Sequence, residues 1–259
     1  MKGNLIEIKS LKTHKILPKE VILEIIKRYV MIMPERSILA ITSKIISLCQ
    51  NRIVNKRKVQ DKFELVKKEA DLYLEGDYSE KYGICLTIKN GILIPTAGID
   101  ESNSNENYVL YPIHIQEEAA KIWNFIRDYY QKNEIGVLIT DSHTTPLRRG
   151  VTGIALGWCG FQPLRNYIGK PDIFGNLLRV TQTNILDTLA SAAVFVMGEG
   201  NEQTPLALIS SVGRNVIFQQ NPPTKAEIQS VSISLEDDLY APLIKTANWK
   251  ESKNSKNNE

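Results

Sequence analysis

Three acids stand in segments whose composition suits phosphate chemistry. Asp100 lies in GIDESN (98–103), Asp141 in TDSHTTPLRRG (140–150) and Glu199 in GEGNEQTP (198–205), and each segment follows an apolar run. A carboxylate at the mouth of a buried strand, beside Ser, Thr or Asn, offers hard oxygen donors. Such donors suit Mg²⁺ or Mn²⁺, the ions that bridge to nucleotide phosphates. Arg148 and Arg149 add two guanidinium forks that can hold phosphate or carboxylate oxygens. Each feature has a plainer reading. A single acid in a glycine-rich loop serves as a turn or cap residue, and two adjacent arginines can be a solvated pair. His143 inside the second segment could be a ligand or base, or surface decoration. His14, in KTHKILP, could meet phosphates or stay solvated, and His114 has less to recommend it. Cys159 in GWCGF reads as packed rather than nucleophilic.

Familiar site patterns are absent from the sequence. It holds no GxxxxGK[ST] phosphate loop and no GxSxG elbow. GEGNEQ lacks the third glycine of a dinucleotide fingerprint and follows a helical pattern where that fingerprint needs a strand. Motif logic alone therefore ends at a metal–phosphate site built from loops.

Composition narrows the class. The 259 residues, 42% apolar and 24% charged, suit an ordinary globular chain with a sizeable core. A net charge of +3 argues against a nucleic-acid binder, which would show a basic stripe. Cys49, Cys85 and Cys159 stand far apart with no CxxC pair, which fits a reduced interior and gives no disulfide frame. The start, MKGNLIEIKSLKTHK, lacks the apolar stretch of a signal peptide, and no apolar run is long enough to span a membrane. The expectation is a soluble, cytoplasmic protein with no membrane partner.

Several elements must position these groups. PKEVILEIIKRYV (18–30) has helical spacing with Pro18 in its first turn, SILAIT (37–42) reads as a buried strand, and SKIISLCQNRIV follows as a strand-to-helix junction. Residues 57–74 read as a surface helix, and GICLTIKNGILIP (83–95) as a hairpin turning at Asn90-Gly91. EEAAKIWNFIRDYYQKN (117–133) is an amphipathic helix with acids first. EIGVLITD (134–141) is the clearest strand, with a polar loop after it. NILDTLASAAVFVMG (184–198) is a buried helix starting near Thr183 or Asn184, and PLALIS (205–210) and VSISL (231–235) are further strands. The domain is expected over residues 1–247, with 248–259 a polar, disordered tail. Helices and strands mix without a regular βαβ rhythm, so the class is α+β.

ITDSHTTPLRRG, the alanine-rich 184–198 segment and GEGNEQ, taken in order with the upstream TAGIDESN and ITSKIISLCQNRIV, resemble the motifs of the coenzyme F420:L-glutamate ligase family. The resemblance spans most of residues 5–245. KTHKILP and EDDLYAPL look closer to a bacterial branch assigned to folate metabolism as a γ-glutamate ligase. The resemblance implies a two-lobed α+β fold with mixed or antiparallel sheets, a homodimer, two Mg²⁺ or Mn²⁺ ions and also K⁺. It implies a GTP (or ATP) dependent ligase that joins L-glutamate to an acidic cofactor-like acceptor through an acyl phosphate. Matched motif by motif, Asp100 and Asp141 would hold the first ion, and Ser142 and Glu199 the second. Ser43, Lys44, Asn103 and the turn of Met197, Gly198, Gly200, Asn201, Glu202, Gln203 and Thr204 would contact the nucleotide. Arg148 or Arg149 would hold the acceptor carboxylate or stabilise developing charge.

The sequence also departs from the family pattern. Leu48 replaces a nucleotide-contacting lysine, Asn51 a glycine, and Asn166-Tyr167-Ile168-Gly169 replaces DYRG, losing its acid and its arginine. A folate-type acceptor is therefore expected in preference to the F420 precursor. Two rivals remain: a metal-dependent nucleotide hydrolase or phosphotransferase, and an inactive nucleotide-binding regulator.

Overall fold

The computed structural model describes residues 5–76, 81 and 83–252. Its strands are β1 (Glu7–Leu11), β2 (Ser37–Thr42), β3 (Ile53–Asn55), β4 (Leu72–Tyr73), β5 (Leu86–Lys89), β6 (Ile92–Pro95), β7 (Asn107–Val109), β8 (Ile135–Thr144), β9 (Val151–Cys159), β10 (Leu164–Asn166), β11 (Gln182–Asn184), β12 (Leu206–Ser210) and β13 (Lys250–Glu251). The α-helices are α1 (Ile22–Tyr29), α2 (Ser43–Cys49), α3 (Lys62–Glu69), α4 (Ile115–Tyr130), α5 (Ile185–Met197), α6 (Lys225–Ser230) and α7 (Ala241–Ile244).

The main sheet has the order β1-β12-β2-β8-β9, with β2 and β8 parallel and every other neighbour antiparallel. Both faces of β2 are covered, which explains the unbroken apolar run of SILAIT. Leu39 and Ile41 pack with α1, α2 and α4 on one face, while Ile38 and Ala40 pack against α5 on the other. β8 repeats the division, with Val137 and Ile139 on the first face and Leu138 on the second. The second sheet, β13-β4-β5-β6, is antiparallel and carries a smaller core with α3, from which Val66, Cys85, Ala97 and Ile99 are withdrawn from solvent. Mixed and antiparallel sheets beside helices match the α+β expectation.

The 83–95 hairpin forms as read, with Asn90 at φ 50° and Gly91 at φ 72°, the left-handed pair that a two-residue turn requires. α5 starts at its N-cap Asn184, whose side chain accepts from the Asp187 amide. Other expectations need correction. α1 begins at Ile22, so Pro18 stands in a preceding turn and not in the helix. Only Lys62–Glu69 of the 57–74 stretch is α-helix, because a 3₁₀ turn precedes it and β4 follows. VSISL forms no strand. Val231 packs against the α5 face as the chain leaves α6, and Leu235 is also partly covered, while Ser232 to Ser234 are exposed. The segment 248–252 is part of the fold: β13 pairs with β4, the Ser252 amide donates to the Asp71 carbonyl and the Trp249 indole donates to the Ile244 carbonyl. Only 253–259 of the expected tail remain, and they lie outside the described residues. No helix among the described residues is long and apolar enough to cross a membrane.

Candidate active site

The parallel pairing of β2 with β8 decides where the site stands. Thr42 and Thr140 are the last aligned pair, so the chain leaves the sheet at the same level on both strands. On one strand Ser43 and Lys44 follow, opening α2. On the other come Asp141 and Ser142. Thr42 serves as N-cap of α2, accepting from the Lys44 amide at 3.4 Å. Beside β2 lies β12, which starts directly after the 198–205 turn, and the Thr42 amide donates to the Pro205 carbonyl at 3.0 Å. Three motif segments far apart in sequence thus meet at one edge of the sheet, where an open α/β sheet places ligands.

Ser142 corrects the sequence reading, which ended the strand at Asp141. β8 carries both residues and continues to Thr144 as a ribbon with β9. The pairing shifts by one residue between Ile139 and Thr140, a bulge that re-aims the side chains beyond it. Asp100 comes from the other sheet. It follows Thr96, Ala97 and Gly98, all with positive φ, and exchanges two 2.9 Å backbone hydrogen bonds with Val109.

These elements enclose a cleft of about 530 Å³. Its lining includes Asp100, Asp141, Glu199, Ser142, Lys44, Asn103 and Met197 to Thr204. Lys44 Nζ lies 2.5 Å from Asp100 Oδ2 and donates to Ser102 Oγ at 2.8 Å. Asp100 Oδ1 accepts from the Ser102 amide at 2.6 Å and from its hydroxyl at 2.8 Å. Asn103 Nδ2 donates to the Gly200 carbonyl at 2.9 Å, tying the Asp100 loop to the Glu199 turn. Within that turn the Glu202 carboxylate accepts from the Gly200 amide at 2.8 Å and fills the space beside Gly198, where a Cβ would lie 2.6 Å from Glu202 Cδ. Ser43, almost wholly buried, donates its hydroxyl to Asp141, and the Ser142 hydroxyl donates to Glu199.

The acids are electrically strained. Burial pushes the Asp141 carboxyl up to about 7, and the Asp100 charge adds to the rise. The Ser142 amide (2.8 Å), the Ser43 hydroxyl and the Lys44 ammonium oppose it. Burial likewise raises Glu199, with Asp100 and Glu202 adding and the Ser142 hydroxyl and Lys44 opposing. Perturbed carboxyls gathered in a cleft mark a functional site. Hard oxygen donors of this kind fit a divalent cation in type and charge, although among the described residues no three His, Cys, Asp or Glu side chains converge as a ready metal cage.

Other candidates stand elsewhere. Arg148 and Arg149 are exposed in the turn between β8 and β9 and do not line the cleft. His143 pairs with Thr152 along β8, also outside the lining. Burial pushes the Cys49 and Cys159 thiols up to about 12, so neither is poised as a nucleophile. The 13–16 segment lines the cleft beside the Glu199 turn, with the Thr13 amide donating to the Gln203 carbonyl at 2.9 Å. KTHKILP was its only signal in the sequence. His14 itself is held between the Tyr29 hydroxyl (2.8 Å) and Glu20 (2.7 Å). Leu48 also lines the cleft, as an apolar wall. Asn51 has φ 57°, the backbone that glycine takes without strain.

Residues 8–211 match the family model described as F420-0:Gamma-glutamyl ligase. The chain belongs to this family. It is 33% identical to the Coenzyme F420:L-glutamate ligase of Methanocaldococcus jannaschii over 194 residues, 70% of this chain and 77% of that protein. It is 29% identical to the Coenzyme F420:L-glutamate ligase of Methanococcus maripaludis over 199 residues, 72% of this chain and 79% of that one. The matched region contains Lys44, Asp100, Asp141 and the 198–205 turn.

Proposed function

We propose that this protein is a nucleotide- and divalent-metal-dependent ligase that joins L-glutamate to the carboxylate of an acidic acceptor. The observation that carries the reading is the single cleft lined by Asp100, Asp141 and Glu199, with Lys44 and the 198–205 turn around it. The relatives' name, Coenzyme F420:L-glutamate ligase, supports glutamate as one substrate and an F420-type acid as the other. GTP, or ATP, would lie along the turn from Met197 to Thr204, with Lys44 and Asn103 facing it; Ser43, expected there from the resemblance, is instead buried behind Asp141.

In this reading the acceptor carboxylate attacks the γ-phosphorus, the bond to the β-phosphate oxygen breaks, and the nucleoside diphosphate leaves. The glutamate amine then attacks the acyl phosphate, loses a proton and displaces inorganic phosphate, which leaves an amide. Phosphoryl transfer draws mostly on positioning and charge neutralisation. Asp100 and Asp141 would hold one Mg²⁺ or Mn²⁺, and Ser142 and Glu199 a second. Such ions supply charge neutralisation at the transferring phosphoryl group. Ser43 and the Ser142 amide hold the Asp141 carboxylate in place, and Asn103 keeps the Asp100 loop against the Glu199 turn. Arg148 and Arg149, in the exposed β8–β9 turn, would reach an acceptor only at the outer rim.

The acceptor preference is read from the segment that replaces DYRG, where Asn166 and Ile168 stand in place of its acid and its arginine. Asn166 accepts from the Ile168 amide at 2.8 Å, within its own turn. Losing a charged partner costs about 1.5–3 kcal/mol, roughly ten- to a hundredfold in affinity. Glutamate-dependent phosphate release is therefore expected with a folate-type acceptor and at least about tenfold less with the F420 precursor. The reverse preference would overturn the acceptor assignment, and phosphate release indifferent to glutamate would favour a nucleotide hydrolase.

Two copies are proposed to pair as a two-lobed dimer. The ribbon from Leu164 to Asn184 exposes Ile173, Phe174, Leu177 and Val180, an apolar surface that a lone chain rarely leaves open. Sedimentation should give a species near twice the 29.3 kDa chain mass, and a monomer alone at micromolar concentration would remove the dimer.

A further inference from the structure

Lys44 is the cation at the centre of the acidic cleft. Its ammonium contacts Asp100 at 2.5 Å, donates to the Ser102 hydroxyl at 2.8 Å and to the Ser102 carbonyl at 3.1 Å, and so spends its donors on the Asp100 loop. The same charge reaches Asp141 and Glu199, easing both carboxyls toward the ionised form. Three carboxylates at one cleft repel one another, and a counter-ion on a flexible four-carbon stem offsets that repulsion until another cation arrives. An ammonium on Asp100 Oδ2 competes with a divalent ion for that carboxylate, whose Oδ1 already accepts from the Ser102 amide and hydroxyl. Lys44 is also the second residue of α2, beside the cleft that faces the Gly198–Thr204 turn.

We propose that Lys44 is an exchangeable counter-ion. In the free protein it occupies the Asp100 carboxylate in place of the divalent metal, and on loading it swings from Asp100 to the nucleotide phosphates. The inference rests on the metal and nucleotide reading above and adds an order to it: the metal binds weakly alone and tightly with nucleotide. Nucleotide gives the displaced ammonium a new partner, so each ligand strengthens the other.

The test is binding of Mn²⁺ alone, followed by electron paramagnetic resonance or calorimetry, to the full chain without nucleotide. Lys44→Met should bind Mn²⁺ about tenfold more tightly than the parent, because the competing charge is gone from a partly exposed pair. Lys44→Arg, which keeps the charge, should stay weak. A non-hydrolysable GTP analogue should tighten Mn²⁺ binding strongly in the parent and much less in Lys44→Met. Lys44→Gln serves as a second neutral variant should the methionine protein unfold. Neutral variants that bind Mn²⁺ no better than the parent, or more weakly, overturn the exchange and leave the metal reading standing, since a lysine that only helps to build the site predicts that sign. A parent that binds no Mn²⁺ even with the analogue overturns the metal reading and the exchange with it.

Discussion

Asp141→Asn is expected to lose about a hundred- to a thousandfold in metal-dependent nucleotide turnover, the scale seen when one charged contact to a transition state is removed. The same change should make the metal-free protein more stable. Asp141 sits among buried groups with its carboxyl held up at about 7 against an ordinary 3.8, so the fold disfavours its ionised form. Below about pH 4 both folded and unfolded chains carry the proton, and Asn gains nothing. Between about 4 and 7 the unfolded chain ionises while the folded one resists, and the parent loses stability that the variant keeps. Above about 7 the difference is full, at most about 4 kcal/mol and less where solvent screens the group. Thermal unfolding in chelator from pH 4 to 8 checks the sign. Parent-like turnover in the variant would remove Asp141 from the metal set.

Gly153→Ala should cost the protein heavily for a single methyl group. Gly153 lies on β9 opposite Ser142, and a Cβ there would stand 2.3 Å from the Ala190 carbonyl oxygen and 2.7 Å from the Ser191 nitrogen. Those atoms are the backbone of α5, so no side-chain rotation relieves the clash. The helix must move off the sheet, taking with it the Ser191 hydroxyl that donates to the Gly153 carbonyl at 2.9 Å. The expected cost is about 3 kcal/mol, a fall in Tm of roughly 6–10 °C for a chain of this size. Because α5 ends at Met197 and carries the Glu199 turn, turnover should fall as well. Gly150→Ala is the control: φ is 92° but nothing lies within 4 Å, so only backbone strain remains. Equal melting temperatures for the parent and Gly153→Ala would show that α5 does not press on β9 as described.

The sequence disclosed what local rules govern. SILAIT, the Asn90-Gly91 turn, the 117–133 amphipathic pattern and the Asn184 cap each follow from residues within a few positions, and the structure builds all four, with the amphipathic helix running Ile115–Tyr130. Errors arose where exposure imitated a loop. The far end of β8 is polar because its ribbon with β9 leaves the packed layers, so Ser142, His143 and Thr144 read as loop residues while standing on a strand. VSISL alternates like a strand but finds no partner to pair with. The acids were legible as a set through their motifs, and the cleft does gather Asp100, Asp141 and Glu199. The Lys44–Asp100 contact was not legible, since it joins positions 56 residues apart that share no pattern.

β12 lies between β1 and β2, and this has a consequence for how the protein is made. The first two strands of the main sheet cannot become neighbours, because Leu206–Ser210 must pair with both of them. A ribosome has therefore to release some two hundred residues before the sheet can close around its N-terminal strand. Parallel pairing of Ser37–Thr42 with Ile135–Thr140 imposes an earlier wait of nearly a hundred residues. Long closures of this kind slow folding and leave strand edges open meanwhile. The acidic cleft spans β2, β8 and the turn before β12, so it comes into being only at the last of these closures. A partial chain that ends before Leu206 lacks the formed cleft.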